Sequence, residues 1–96
     1  MTSKKAARKW YNKIEDKQKV SQEFLRNAIC FYQEPPERVV NFLNSLPADR
    51  CEKLEKTFAN IREKAKAYII KNKLSLKKED EIFVRIVQGE IRMGEI

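Results

Sequence analysis

Between Cys51 and Tyr68 the apolar residues fall at Cys51, Leu54, Phe58, Ile61, Ala65 and Tyr68, in alternating steps of three and four. That spacing places them on one narrow stripe of an α-helix, the pattern of helices that pack side by side at a shallow angle. A stripe of this kind has to be covered, so other helices must be supplied by the same chain or by a partner. Pro47 suits the opening of such a helix, and the pattern predicts one from about 47 to 73, roughly 40 Å long at 1.5 Å per residue. Ile69 and Ile70 are expected to widen its buried face near the end.

The remaining segments fit the same class. Only two glycines occur, Gly89 and Gly94, whereas a compact β-protein needs many tight turns. The segment 3–16 carries Ala7, Trp10, Tyr11 and Ile14 on one face. The segment 21–33 carries Phe24, Leu25, Ala28, Ile29, Phe31 and Tyr32, with Ser21 as cap and Val20 and Leu25 placed as a staple across it. No glycine or proline separates the two, and a heptad seam runs through both by way of Lys17 and Ser21. One helix or two over 3–33 is therefore left open. Pro35-Pro36 ends that region and opens a short helix to about 45. Ser75 is placed to cap a last helix whose apolar face is Ile82, Phe83, Ile86 and Val87, with Gly89 as its terminator. A β-hairpin made of IFVRIV and EIRMGEI is the minority alternative there, because Phe83 and Val87 would fall on the polar face of a strand. The expected fold is all-α: a small four- or five-helix bundle with one long helix, in a single domain over 1–96.

Charge is distributed unevenly. The net charge is +7 from 21 basic and 14 acidic residues. Residues 1–20 carry net +5, 21–50 carry −1, 51–78 carry +6 and 79–96 carry −3. Such a field attracts phosphates or an acidic protein surface without choosing between them. On the long helix, Lys53, Lys56, Lys64 and Lys71 gather on one flank of the seam; Arg62, Lys66 and Lys73 gather on the other. The first group can follow a phosphate backbone, or it can be a solvated face supported by pairs such as Glu52–Lys56 and Glu63–Lys66. The seven arginines are dispersed along the chain, which gives no focus for bidentate phosphate or base contacts. The second basic group is Lys5, Arg8, Lys9 and Lys13, beside Trp10 and Tyr11. Cations next to aromatics can hold single-stranded nucleic acid by backbone attraction and base stacking; the same Trp10 and Ile14 can equally be core. An amphipathic helix on anionic lipid is the weakest reading of this stretch, because its apolar face is short.

Several chemistries lack their residues. There is no histidine, which removes the usual general base at neutral pH and the Ser–His and Cys–His nucleophiles. Two cysteines without histidine cannot complete a standard structural zinc site. No glycine-rich phosphate loop occurs. Glu79, Asp80 and Glu81 read as a favourable charge at a helix N-terminus instead of a cation site. No enzyme, cofactor or metal is therefore expected. Cys30 and Cys51 sit among apolar residues and read as reduced core residues, with a disulfide between them left open. No apolar run reaches the ~18–20 residues of a membrane span, and no signal-peptide pattern is present. The expected setting is cytoplasmic, without membrane contact.

The functional expectation is a small basic binding protein. Its leading form is nucleic-acid association, with Lys53, Lys56, Lys64 and Lys71 on phosphates, Lys5, Arg8, Lys9 and Lys13 as a second patch, and Trp10 or Tyr11 stacking on bases. A helix-turn-helix made of 36–45 and 47–73 is a further form, though its second helix is long and exposes lysine instead of base-reading side chains. The competing expectation is a protein–protein interaction module that self-associates or docks on an acidic partner, anchored by Trp10, Phe31 and Tyr32.

Overall fold

The N-terminal segment folds as two helices, not one. In the computed structural model, which describes residues 3–96, α1 (Ser3–Trp10) tightens into a 3-10 turn at Tyr11–Lys13, and α2 (Gln22–Tyr32) begins only after an irregular link. The backbone of Ile14 is extended, with φ −72° and ψ 125°. Asn44 clamps the link: its side-chain carbonyl accepts from the Glu15 N–H at 3.0 Å and its amide donates to the Lys13 carbonyl at 3.1 Å. Asp16 closes a local turn by accepting from the Gln18 N–H at 3.0 Å. The break is favoured because both ends of the link, Ile14 and Val20, are buried; a continuous helix would have turned Lys17 and Ser21 along the seam instead.

The signals for starting and stopping the other helices act locally. Ser21 caps α2, its hydroxyl accepting from the Phe24 N–H at 3.0 Å, and Val20 and Leu25 are fully buried across that cap. Pro36 opens α3 (Pro36–Ser45) at its first turn. The Pro47 carbonyl accepts the first bond of α4 (Ala48–Lys71) from the Cys51 N–H at 3.1 Å. Lys19 Nζ donates to the carbonyls of Asn44 and Leu46 at 3.2 and 2.7 Å, which satisfies groups that α3 leaves unpaired at its end. Ser75 caps a 3-10 turn at Leu76–Lys78 that runs into α5 (Glu79–Val87), so its cap lies one turn ahead of the helix proper.

Helices α4 and α5 end in the same way. The residue after the cap adopts left-handed backbone, Lys73 at φ 55° and Gly89 at φ 81°. The paired bonds follow: Lys73 N–H to the Ile70 carbonyl and Leu74 N–H to Ile69 at 3.3 and 2.9 Å, and Gly89 N–H to Ile86 and Glu90 N–H to Arg85 at 3.1 and 2.9 Å. The C-terminal region is thus helical where a hairpin was the alternative, with Ile82, Phe83 and Ile86 inside the core. No strand occurs among the described residues.

Helix α2 is the hub: α1, α3, α4 and α5 all pack on it, and α5 lies back along α4. Phe58 of α4 sits at the centre of an aromatic cluster, with ring centroids 5.7 Å from Phe24, 4.7 Å from Phe31 and 6.0 Å from Tyr32. Cys30 and Cys51 are free and buried. One expectation for α4 is corrected. Ile69 and Ile70 do not both widen the buried face: Ile69 is buried, while Ile70 is 74% exposed. Ile70 lies about 100° around the helix from Ile69 and passes beyond the reach of α5. No helix among the described residues is long and apolar enough to cross a membrane.

Candidate functional site

At 3.6 residues per turn, Lys53, Lys56, Lys64 and Lys71 fall within about 80° of one another on α4. Their line is turned away from Phe58 and Ala65, which are fully buried. Lys53, Lys56 and Lys71 are exposed and Lys64 is half-buried. Lys56 pairs with Glu52 at 3.7 Å, and both side chains are well solvated, so this pair contributes little to stability. The four lysines expected to share a face do share it, over about 27 Å of helix.

The second group is divided. Lys5, Arg8 and Lys9 lie on the exposed side of α1, and Lys13 is exposed on the 3-10 turn that follows. Ala6 and Ala7 form the buried side. Trp10 belongs to that side as well: it is half-buried and packed against the core, directed away from the cations beside it in sequence. Tyr11 is also packed on the core, and Lys17 Nζ stands 5.6 Å from its ring centre. Helix α1 packs on α2 and α3, and α4 packs on α2 and α5. The two basic faces therefore sit on different elements, with α2 between them.

The ionic centre of the molecule lies where the sequence suggested none. Arg62, placed by the spacing on a flank of the α4 seam with Lys66 and Lys73, is 2% exposed. Its Nη1 donates to Asp80 Oδ1 at 2.9 Å and its Nε to the Asn27 side-chain carbonyl at 2.9 Å. Its guanidinium lies 4.7 Å from the centre of the Phe83 ring. Arg26 meets the same Asp80 oxygen at 3.0 Å from Nη2, and Ser3 Oγ donates to the other oxygen. Glu79 Oε1 stands 3.5 Å from Arg62 Nη1. Glu79 and Asp80 lie in the first turn of α5 as read from the sequence, and they are in addition counter-ions for two arginines on α2 and α4. Glu81 is exposed.

The spacing of the sequence is compatible with a buried Arg62 but does not select it. Residues 58, 62, 65 and 69 follow the same three-four spacing as 58, 61, 65 and 68, so position 62 shares the stripe that meets α5. An arginine there needs an acid opposite, and Asp80 supplies it. Burial by itself would raise the Asp80 pKa; the hydrogen bonds from Ser3 and Arg62 and the charges of Arg26 and Arg62 outweigh it and hold the carboxyl below its ordinary value. Burial pushes the Cys30 thiol up, against a hydrogen bond with Ser3, so it stays protonated at neutral pH.

Beside this network a groove of about 800 Å³ opens between α1, α2 and α5, with Ile29, Cys30, Gln33, Val84 and Gln88 among its walls. No cluster of three or more metal-ligating side chains occurs among the described residues. Comparison with protein-family models, curated proteins and solved structures gave no match to this chain.

Proposed function

We propose that the protein is a small non-enzymatic binding protein that associates with nucleic acid through phosphate contacts. One observation carries this reading: Lys53, Lys56, Lys64 and Lys71 share one line of α4, three of them exposed and Lys64 half-buried, while Glu79 and Asp80 of α5 are turned inward onto Arg26 and Arg62. The basic excess of the chain is left on its surface, where it acts on a polyanion. Lys5, Arg8, Lys9 and Lys13 form a second, separate contact. Base stacking by Trp10 is not part of the proposal, because its ring is engaged with the core. Binding of this kind has little sequence preference.

The test is a fluorescence-anisotropy titration of duplex and single-stranded oligonucleotides at two salt concentrations. Binding at low salt that weakens steeply with added salt supports the reading; absence of binding to both at low salt overturns it.

The competing reading, a protein–protein module, has its own support. Phe42 is 42% exposed and stands edge-on to Tyr32 with ring centroids 5.3 Å apart. These rings border a pocket of about 250 Å³ between α2 and α3, with Val39 in its wall. Light scattering on the purified protein separates the versions of this reading: a monomer leaves only a heterologous partner.

A further inference from the structure

Among the described residues, two of the three exposed large hydrophobic side chains lie together in the chain, in the passage from α4 to α5. Ile70 is 74% and Leu76 67% exposed. Around them, residues 64–78 contain six lysines and no acidic residue, and Lys66, Lys73, Lys77 and Lys78 are exposed. The place is fixed by geometry. Helix α4 has 24 residues and so spans about 36 Å, in a molecule 38 Å long. Its C-terminus is therefore at one end of the molecule, and the turn at Leu76–Lys78 packs beside it.

We propose that this end is a docking surface for an anionic lipid bilayer, with Ile70 and Leu76 entering the boundary between headgroups and acyl chains and Lys73, Lys77 and Lys78 meeting the lipid anions. An interfacial lipid contact needs apolar side chains and cations on one surface. A nucleic-acid backbone offers nothing to Ile70 or Leu76, and base stacking calls for aromatic rings; Tyr68, the aromatic nearest in sequence, is packed on the core. A second copy of this chain would bring the same acid-free lysine tract against itself. Of a nucleic acid, a second copy and an anionic bilayer, the bilayer complements both the charge and the aliphatic side chains. Membrane contact was not expected from the amino-acid pattern, which has no apolar run of span length and in which Ile70 reads as core.

Vesicle co-sedimentation tests this with phosphatidylcholine alone and with phosphatidylcholine mixed with phosphatidylserine. The intact protein should bind the mixed vesicles and not the neutral ones, with binding reduced by salt. The double variant Ile70→Ser, Leu76→Ser keeps every charge and removes no buried side chain, so it should fold, as circular dichroism will show, and bind mixed vesicles at least about tenfold more weakly. Equal binding by this variant and the intact protein overturns the proposal, since it describes adhesion by charge alone. Binding to neutral vesicles, or a dimer that the double variant abolishes, overturns it as well. The variant leaves Lys53, Lys56, Lys64 and Lys71 in place, so its oligonucleotide affinity should be unchanged. A loss there assigns the surface to nucleic acid and sinks the lipid proposal, while failure of all oligonucleotide binding leaves the vesicle result standing.

Discussion

Arg62 Nη1 meets Asp80 Oδ1 at 2.9 Å with the arginine side chain only 3% exposed, and this pairing ties the middle of α4 to the first turn of α5. The carboxylate also takes Arg26 of α2 at 3.0 Å. With Ser3 of α1 on the other oxygen, four helices thus converge on one carboxyl group. Asn27 satisfies the Arg62 Nε, and Phe83 covers the guanidinium. A charge removed from water is costly unless its donors are matched, and here they largely are.

Replacing Asp80 with Asn leaves the buried Arg62 with its longer approaches to Glu79 and Glu23, at 3.5 and 3.9 Å. The variant should lose about 3 kcal/mol or more of stability. Glu81→Gln, one residue along on an exposed side chain, should change it by less than about 0.5 kcal/mol. Urea unfolding followed by circular dichroism measures both.

The pH dependence follows from the same group. The Asp80 pKa is lowered in the folded protein, so its stabilising contribution is fully present above the unfolded value of about 3.9. It is lost as pH falls below that value and through the folded pKa. The urea midpoint of the intact protein should fall over this acid range, and Asp80→Asn should flatten that part of the profile. An unchanged slope in the variant assigns the acid limb to other carboxylates.

Gly89 and Lys73 occupy equivalent left-handed positions at two helix ends. A Cβ on Gly89 would meet nothing within 4 Å, so Gly89→Ala should lose about 1 kcal/mol from backbone strain alone. Lys73→Gly should move the other way by a smaller amount, about 0.5 kcal/mol. Opposite shifts in melting temperature are the expected readout.

Phe58→Ala removes the ring shared by Phe24, Phe31 and Tyr32. It should cost about 3–5 kcal/mol, enough to unfold a domain of this size at moderate temperature. Its retention of full stability in a denaturant titration would contradict the placement of this helix face.

For the lysine line, Lys53→Ala with Lys64→Ala should lower the salt slope of duplex binding by nearly two units, about 0.9 for each phosphate no longer neutralised. The affinity should drop for all sequences alike. A slope that does not move assigns the phosphate contacts elsewhere.

The chain's own pattern was sufficient for the all-α class and for the long helix. Phe58, Ile61 and Ala65 could be placed inside because apolar residues at three-four spacing mark one face of a helix. Pro36, Pro47, Ser21 and Gly89 marked boundaries because caps and breakers act within a few residues. The solvent-facing line of Lys53, Lys56, Lys64 and Lys71 was legible for the same reason: positions on one helix are related by rotation alone. Trp10 shows the limit. Adjacency to Lys9 in the sequence said nothing about the side to which its ring turns, and the packing of α1 on α2 settled that.

The amino-acid order by itself determined local matters: where α3 and the long helix open, which stripe is apolar, and how unevenly charge is spread. Only the tertiary structure decided that 3–33 breaks at Ile14, that Arg62 goes inside with Asp80, and that Ile70 stays out. Each of those outcomes depends on a residue 18 or more positions away or on the edge of a neighbouring helix. The period of a single helix carries no information about what stands opposite it.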